Sequence, residues 1–153
     1  MKVAEIENDI LVIKNREDEK LNGRKGALVK VLGCGLCGSD IVKLTQHRAK
    51  QGTVLGHEIV AFITDINSDT NFKVGDTIIT SHHIPCGKCE YCKNGNVSMC
   101  SHFKETNIFP GGFSEHVFVS EEYLRNVAYL KPKNLRNDEV AFYEPLGCCI
   151  RAV

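Results

Sequence analysis

Apolar residues along the chain fall into short runs broken by turn residues, and the runs read mostly as β-strands. Leu11-Val12-Ile13-Lys14 is a brief β-rich run, followed by the turn pair Asn22-Gly23. Residues 26–32 (GALVKVL) form a second predicted strand, polar at Lys30. Residues 58–66 (EIVAFITDI) are a longer apolar strand. Val74-Gly75-Asp76 then turns into Thr77-Ile78-Ile79-Thr80. Pro110-Gly111-Gly112 leads into an alternating strand over residues 113–119. Helical patterning is sparse. Ser39 is placed to cap a short helix through Ile41, Val42 and Leu44. From Asn137 the pattern turns helical again, with Asp138 and Glu139 in a first turn, and Pro145 interrupts or restarts that helix.

Residues 82–107 depart from this pattern. They are poor in aliphatic side chains and rich in Cys, Lys, Asn and Gly. A lobe with so little apolar surface needs a metal in place of a core. Its cysteines supply one. Cys86, Cys89 and Cys92 are separated by two-residue gaps, and Cys100 follows after seven more residues. Four thiolates make a closed tetrahedral shell, the pattern of structural zinc, whereas a catalytic zinc keeps a position open. Eight cysteines also fit disulfides as an even count, but three thiols at two-residue gaps are poor disulfide geometry.

Composition narrows the functional class. The chain has 153 residues, enough for one domain with a true core. Lys+Arg and Asp+Glu are both 19, so no basic excess points to a nucleic-acid partner. No apolar run approaches the about 18 residues needed to span a bilayer, so no membrane role is expected. The N-terminal residues carry no secretory pattern, and a cytoplasmic location with reduced thiols is expected.

Two further motifs remain open on residues alone. Gly33-Cys34-Gly35-Leu36-Cys37-Gly38 matches the dinucleotide fingerprint G-x-G-x-x-G after a predicted strand. Glu58 lies 20 residues beyond Gly38, but it begins an apolar run where a true fingerprint carboxylate ends one. The competing reading is that these glycines make tight turns around a buried thiolate. Separately, Cys37, His57 and Glu58 offer a thiolate, an imidazole and a carboxylate on separate segments. Those three groups can build an open zinc site, or each can be structural.

Four stretches in this order resemble the zinc-containing medium-chain dehydrogenases, the family of alcohol, polyol and threonine dehydrogenases. They are Gly35-Leu36-Cys37-Gly38-Ser39-Asp40, Gly56-His57-Glu58, Val74-Gly75-Asp76 and the four-cysteine lobe, with Glu144-Pro145-Leu146 after them. The resemblance implies a mainly β catalytic domain with a GroES-like β-barrel core over residues 1–138, including the zinc lobe at 82–107. Residues 139–153 are then the start of a helix leading to a Rossmann cofactor domain missing from this chain.

It also implies two zinc ions. Cys37 and His57 match catalytic ligands, and Glu58 matches the carboxylate that ligates or sits just behind the metal. Glu144 matches a third-ligand or water-contacting position, with Cys148 as its competitor. Cys86, Cys89, Cys92 and Cys100 match the structural set. Ser39 matches the residue that passes the substrate proton outward. The relay histidine common in the family is replaced by Val42.

The implied function is oxidation of a primary or secondary alcohol, or reduction of a carbonyl, by hydride exchange with NAD or NADP. The parent enzyme is expected to be a homo-oligomer. The alternative is a non-catalytic zinc-binding interaction module. His47, His82, His83, His102 and His116 are expected at the surface. Cys34, Cys148 and Cys149 are expected as buried packing residues.

Overall fold

The computed structural model describes residues 1–153. Strands β1 (Lys2–Glu7) and β2 (Ile10–Asn15) form an antiparallel hairpin. Strands β3 (Gly26–Gly35), β4 (Glu58–Asn67), β5 (Thr77–Thr80), β6 (His116–Ser120) and β7 (Ala128–Leu130) form one sheet in the order β6-β3-β4-β5-β7. Every pairing in it is antiparallel. The predicted strands are therefore present. The last is shorter than the alternation implied, with Phe113 and Ser114 in the approach to β6 and not in it.

Alternation explains the core. In β4, Ile59, Ala61 and Ile63 face a cluster shared with Ala27, Val29 and Val117. Phe62, between two of them, is 36% exposed. Val60 points to the opposite face, where it packs with Ile79 and Val140 of helix α5 (Asn137–Val140). At that point the centre of the sheet is buried on both sides.

The hairpin is tied to the main body by backbone. Ala4 N–H donates to the Phe113 carbonyl (2.8 Å) and Ile6 N–H to the Thr53 carbonyl (2.9 Å). Between them lies Glu5, 7% exposed, held by Arg16 and, at 3.2 Å, by Lys14. Burial raises the cost of that carboxylate's charge, but the Arg16 bond is the larger influence and keeps its pKa below the usual value.

Helices are short. Helix α1 (Gly38–Thr45) follows β3. The zinc-type lobe carries α2 (Glu90–Lys93), a 3₁₀ turn (Val97–Met99) and α3 (Ser101–Glu105). Helix α4 (Glu121–Asn126) buries Tyr123 and Leu124 under the sheet. Helix α6 (Tyr143–Ala152) begins three residues after α5 ends, with Pro145 in its first turn, so the proline restarts a helix there. A missing N–H costs nothing at that place, because first-turn donors have no intrahelical partner. No helix is long and apolar enough to cross a membrane.

The structure corrects three local expectations. The α1 cap is Cys37, whose thiol accepts from the Ser39 N–H at 3.5 Å, while Asp40 reaches back to the Cys37 N–H. The glycines at 33 and 35 are strand residues paired with Val60 and Glu58, not tight turns. Antiparallel pairing of β3 with β4 also removes the βαβ unit that a dinucleotide fingerprint requires. Cys148 and Cys149 are exposed on α6, not buried, because nothing in the chain packs over that helix face.

Candidate metal centre

Two ligand clusters lie in different places. In the lobe, the sulfurs of Cys86, Cys89, Cys92 and Cys100 all lie within 4.8 Å of one another. Cys86 and Cys92 sulfurs are 3.9 Å apart, and those of Cys89 and Cys92 3.5 Å. Zinc–sulfur bonds of about 2.3 Å in a tetrahedron put sulfurs about 3.8 Å apart, so the residues fit that ion. All four thiols are free.

The loop backbone is arranged to carry anionic sulfur. Cys89 N–H donates to Cys86 Sγ (3.4 Å), and Cys86 N–H to Cys100 Sγ (3.5 Å). Backbone N–H groups of Cys86 and Phe103 lower the Cys100 thiol to about 6. Those of Lys88 and Cys89 lower Cys86. Burial, followed by the Cys89 sulfur, pushes Cys92 up to about 12.

The second cluster sits where β3, α1 and β4 meet. Ligand atoms of Cys37, His57 and Glu58 lie within 4.8 Å of one another, as do those of His57, His82 and Glu144. His57 belongs to both sets. Gly56 delivers it, since its φ of +85° and a Phe113 ring atom 2.7 Å from any added Cβ leave room only for glycine. Opposite Glu58, Gly35 leaves the space that the Glu58 carboxylate occupies; a Cβ there would overlap Oε2.

Asp40 is fully buried and places Oδ1 3.4 Å from His57 Nδ1. The Gly56 N–H also reaches Asp40 Oδ1 at 3.4 Å. Burial alone would raise this carboxyl, but His57 and the two backbone donors prevail and hold it below its usual range. Burial likewise opposes a charge on His57, yet Asp40 and then Cys37 raise its pKa to about 9. With Nδ1 turned to Asp40, Nε2 is left for a ligand. A carboxylate behind a histidine is the usual outer partner of a metal-bound imidazole, so the donor set fits zinc.

His82 was not legible as a site residue. It was expected at the surface, but it is half-buried, with its ring 4.4 Å from that of His57 and 3.8 Å from that of His83. His83 stacks in turn on Phe103 of the lobe at 4.7 Å. Burial, then the neighbouring histidines, drives His82 down to about 3, so it is neutral. Its Nδ1 is buried without a hydrogen-bond partner, 3.8 Å from a Glu144 oxygen. The His83 Nδ1–H donates to the Thr106 carbonyl. His102 and His116 are also half-buried, and of the five only His47 is at the surface.

Glu144 stands in the first turn of α6 and is half-buried. Burial raises its pKa; Glu58 and Asp40 add to that, and His57 opposes it. Cys148 is one turn further along. Ser39 is exposed at the start of α1, and Val42 is 41% exposed on the same helix. Cys34 packs against the main core, where burial pushes its thiol up to about 12. Arg151 of α6 donates to the Gly95 carbonyl of the lobe (3.0 Å), joining the two metal-type regions.

The chain is thus a small antiparallel β domain carrying one thiolate-only cluster and one mixed cluster. The family profile described as "Alcohol dehydrogenase GroES-like domain" matches residues 23–129. The chain belongs to this family, within the zinc-containing medium-chain dehydrogenases. Sorbitol dehydrogenase of Bacillus subtilis (strain 168) is 32% identical over 133 residues, 82% of this chain and 36% of that protein. Galactitol-1-phosphate dehydrogenase of Escherichia coli superposes with a TM-score of 0.78 at 25% identity, covering 95% of this chain and 42% of its own. The apo form of zinc dependent alcohol dehydrogenase 2 of Streptococcus pneumonia gives 0.73 at 25% identity, covering 96% and 43%. The chain thus spans about 40% of the length of such relatives.

Proposed function

We propose that the chain is the catalytic domain of a zinc-dependent alcohol or polyol dehydrogenase that exchanges hydride with NAD or NADP. The observation that carries this reading is His57, shared by two ligand groups and backed by a buried Asp40. Cys37 and His57 would hold the ion, with Glu58 directly behind or beside it and Glu144 as the further oxygen donor. Cys86, Cys89, Cys92 and Cys100 would hold a second, structural ion. Zinc at the open site supplies Lewis-acid polarisation of a substrate oxygen.

The rest is the work of side chains. Asp40 keeps the proton on His57 Nδ1 and fixes the ring. His82 presents a neutral, half-buried edge beside that ring. Ser39, exposed on the first turn of α1, takes a proton from the substrate side and passes it to solvent, where Val42 offers no second relay. Such enzymes are named for polyols, polyol phosphates and simple alcohols, and we place this chain's substrate in that range. A cytoplasmic homo-oligomer is the form we expect for the working enzyme.

The test is turnover. The protein together with its nicotinamide-binding portion should oxidise a polyol with reduction of NAD or NADP. Replacing His57 with Ala should abolish this while leaving the circular dichroism spectrum unchanged. A His57 variant with normal turnover would refute the assignment.

A further inference from the structure

A cavity of about 210 Å³ opens beside the His57 centre. Its lining includes His57 and His82 together with Lys43, Arg48 and Lys50. Helix α1 supplies Lys43 from its last turn. The chain then bends so that the Arg48 N–H donates to the Lys43 carbonyl (2.9 Å), which keeps the two cations on one short stretch. Thr53 and Asn107 add uncharged polar groups to the lining.

The charge of this wall is not balanced within the chain. Seven of the chain's 19 cations hold a carboxylate, Lys14, Arg16 and Arg24 among them. Lys43, Arg48 and Lys50 hold none. The one carboxylate in the cavity is Asp40, already engaged by His57 and two backbone donors. The whole chain carries 19 cationic and 19 anionic residues, whereas this lining sets three exposed cations against one carboxylate.

We propose that this cavity selects an alcohol substrate bearing a phosphate monoester, its hydroxyl end at His57 and its phosphate between Lys43, Arg48 and Lys50. The proposal rests on the dehydrogenase reading and names its substrate class. A phosphate dianion can accept from several cations at once, and Arg offers it a planar pair of donors. A neutral polyol would gain no charge-assisted bond from the three cations. A cavity lined by both His57 and the three cations suits a substrate whose reacting carbon and charged end lie apart.

Binding to the metal-loaded chain, followed by NMR on labelled protein, tests the idea without turnover. Glucitol 6-phosphate should perturb residues 43–53 together with His57, and glucitol at the same concentration should not. Arg48→Ala and Lys43→Ala should each weaken the ester by roughly 10–100-fold, the range for a lost charge-assisted hydrogen bond. Added salt should weaken it further. Inorganic phosphate should bind the same residues more weakly than the ester. Several results would overturn the proposal. These are equal binding of glucitol and its phosphate, an unchanged affinity in Arg48→Ala, or inorganic phosphate matching the ester. Another is tighter occupation of the cations by ADP-ribose, which would assign them to the cofactor's pyrophosphate. Failure of the dehydrogenase reading is a separate observable, since it would appear as no zinc at His57.

Discussion

Asp40 shows how one buried side chain sets the behaviour of another. It has no solvent exposure, caps α1 through the Cys37 N–H, and faces His57 across 3.4 Å. Its two oxygens therefore bind together the helix that starts at Cys37 and the turn that delivers His57. Outer partners of metal-bound histidines typically carry about 10–100-fold of metal affinity. Asp40→Asn should weaken zinc at the His57 site by that order, leaving the four-cysteine site unchanged, as read by competition with a chromophoric chelator. Equal affinity in the variant would mean that Asp40 serves only the fold. Neither Asp40 nor His82 was singled out by sequence. Asp40 was visible only as part of a motif, and His82 owes its place to ring stacking across segments far apart in the chain. By contrast, the cysteines at two-residue gaps announced themselves, because their convergence needs only local geometry.

Among the elements, β3, β4 and β5 were legible because their apolar residues are contiguous and bounded by turn pairs. Strand β1 was not. Its residues are buried on both sides by the loops at Thr53 and Phe113, and the buried Glu5 breaks the apolar pattern. That charge is tolerated only because Arg16 and Lys14 meet it from β2 and just beyond, a pairing no local window reveals. The Glu5 carboxyl has a folded pKa below its ordinary value of 4.5. The unfolded chain therefore binds its proton first as pH falls. The stabilisation is complete above about 4.5 and is lost as pH drops through the lower folded value. Glu5→Gln should flatten the acid limb of stability in that window, measured as the urea midpoint against pH. An acid limb identical to the parent's would remove the ion pair as its cause.

The lobe follows a different rule. Between residues 86 and 100 the only buried side chain is Cys100. Apolar burial cannot hold such a segment, so metal must. Cys92→Ser should leave the lobe's amides exchanging freely with solvent while β3 and β4 stay protected, as followed by hydrogen exchange. Equal protection of the lobe in the variant would show that its fold does not depend on the thiolate cluster.

At the scale of the molecule, one β scaffold carries two metal-type sites that differ in kind. The lobe cluster is closed and thiolate-only, joined to α6 by Arg151 and to the second site through Phe103, His83 and His82. The second cluster is mixed in donor type, and its His57 and His82 line a cavity. The five-strand sheet brings Cys37, two residues beyond β3, beside His57 and Glu58, just before and at the start of β4, because the two strands run antiparallel and pair Gly35 with Glu58. That juxtaposition is a consequence of topology, which is why the sequence offered those three residues only as a possibility until the four motifs were read together.

The most direct test of this account is the zinc content of three proteins by elemental analysis. The parent chain should hold two ions, His57→Ala one, and Cys92→Ser the one at His57. A parent chain with a single ion that Cys92→Ser removes and His57→Ala retains would contradict the second site and the chemistry built on it.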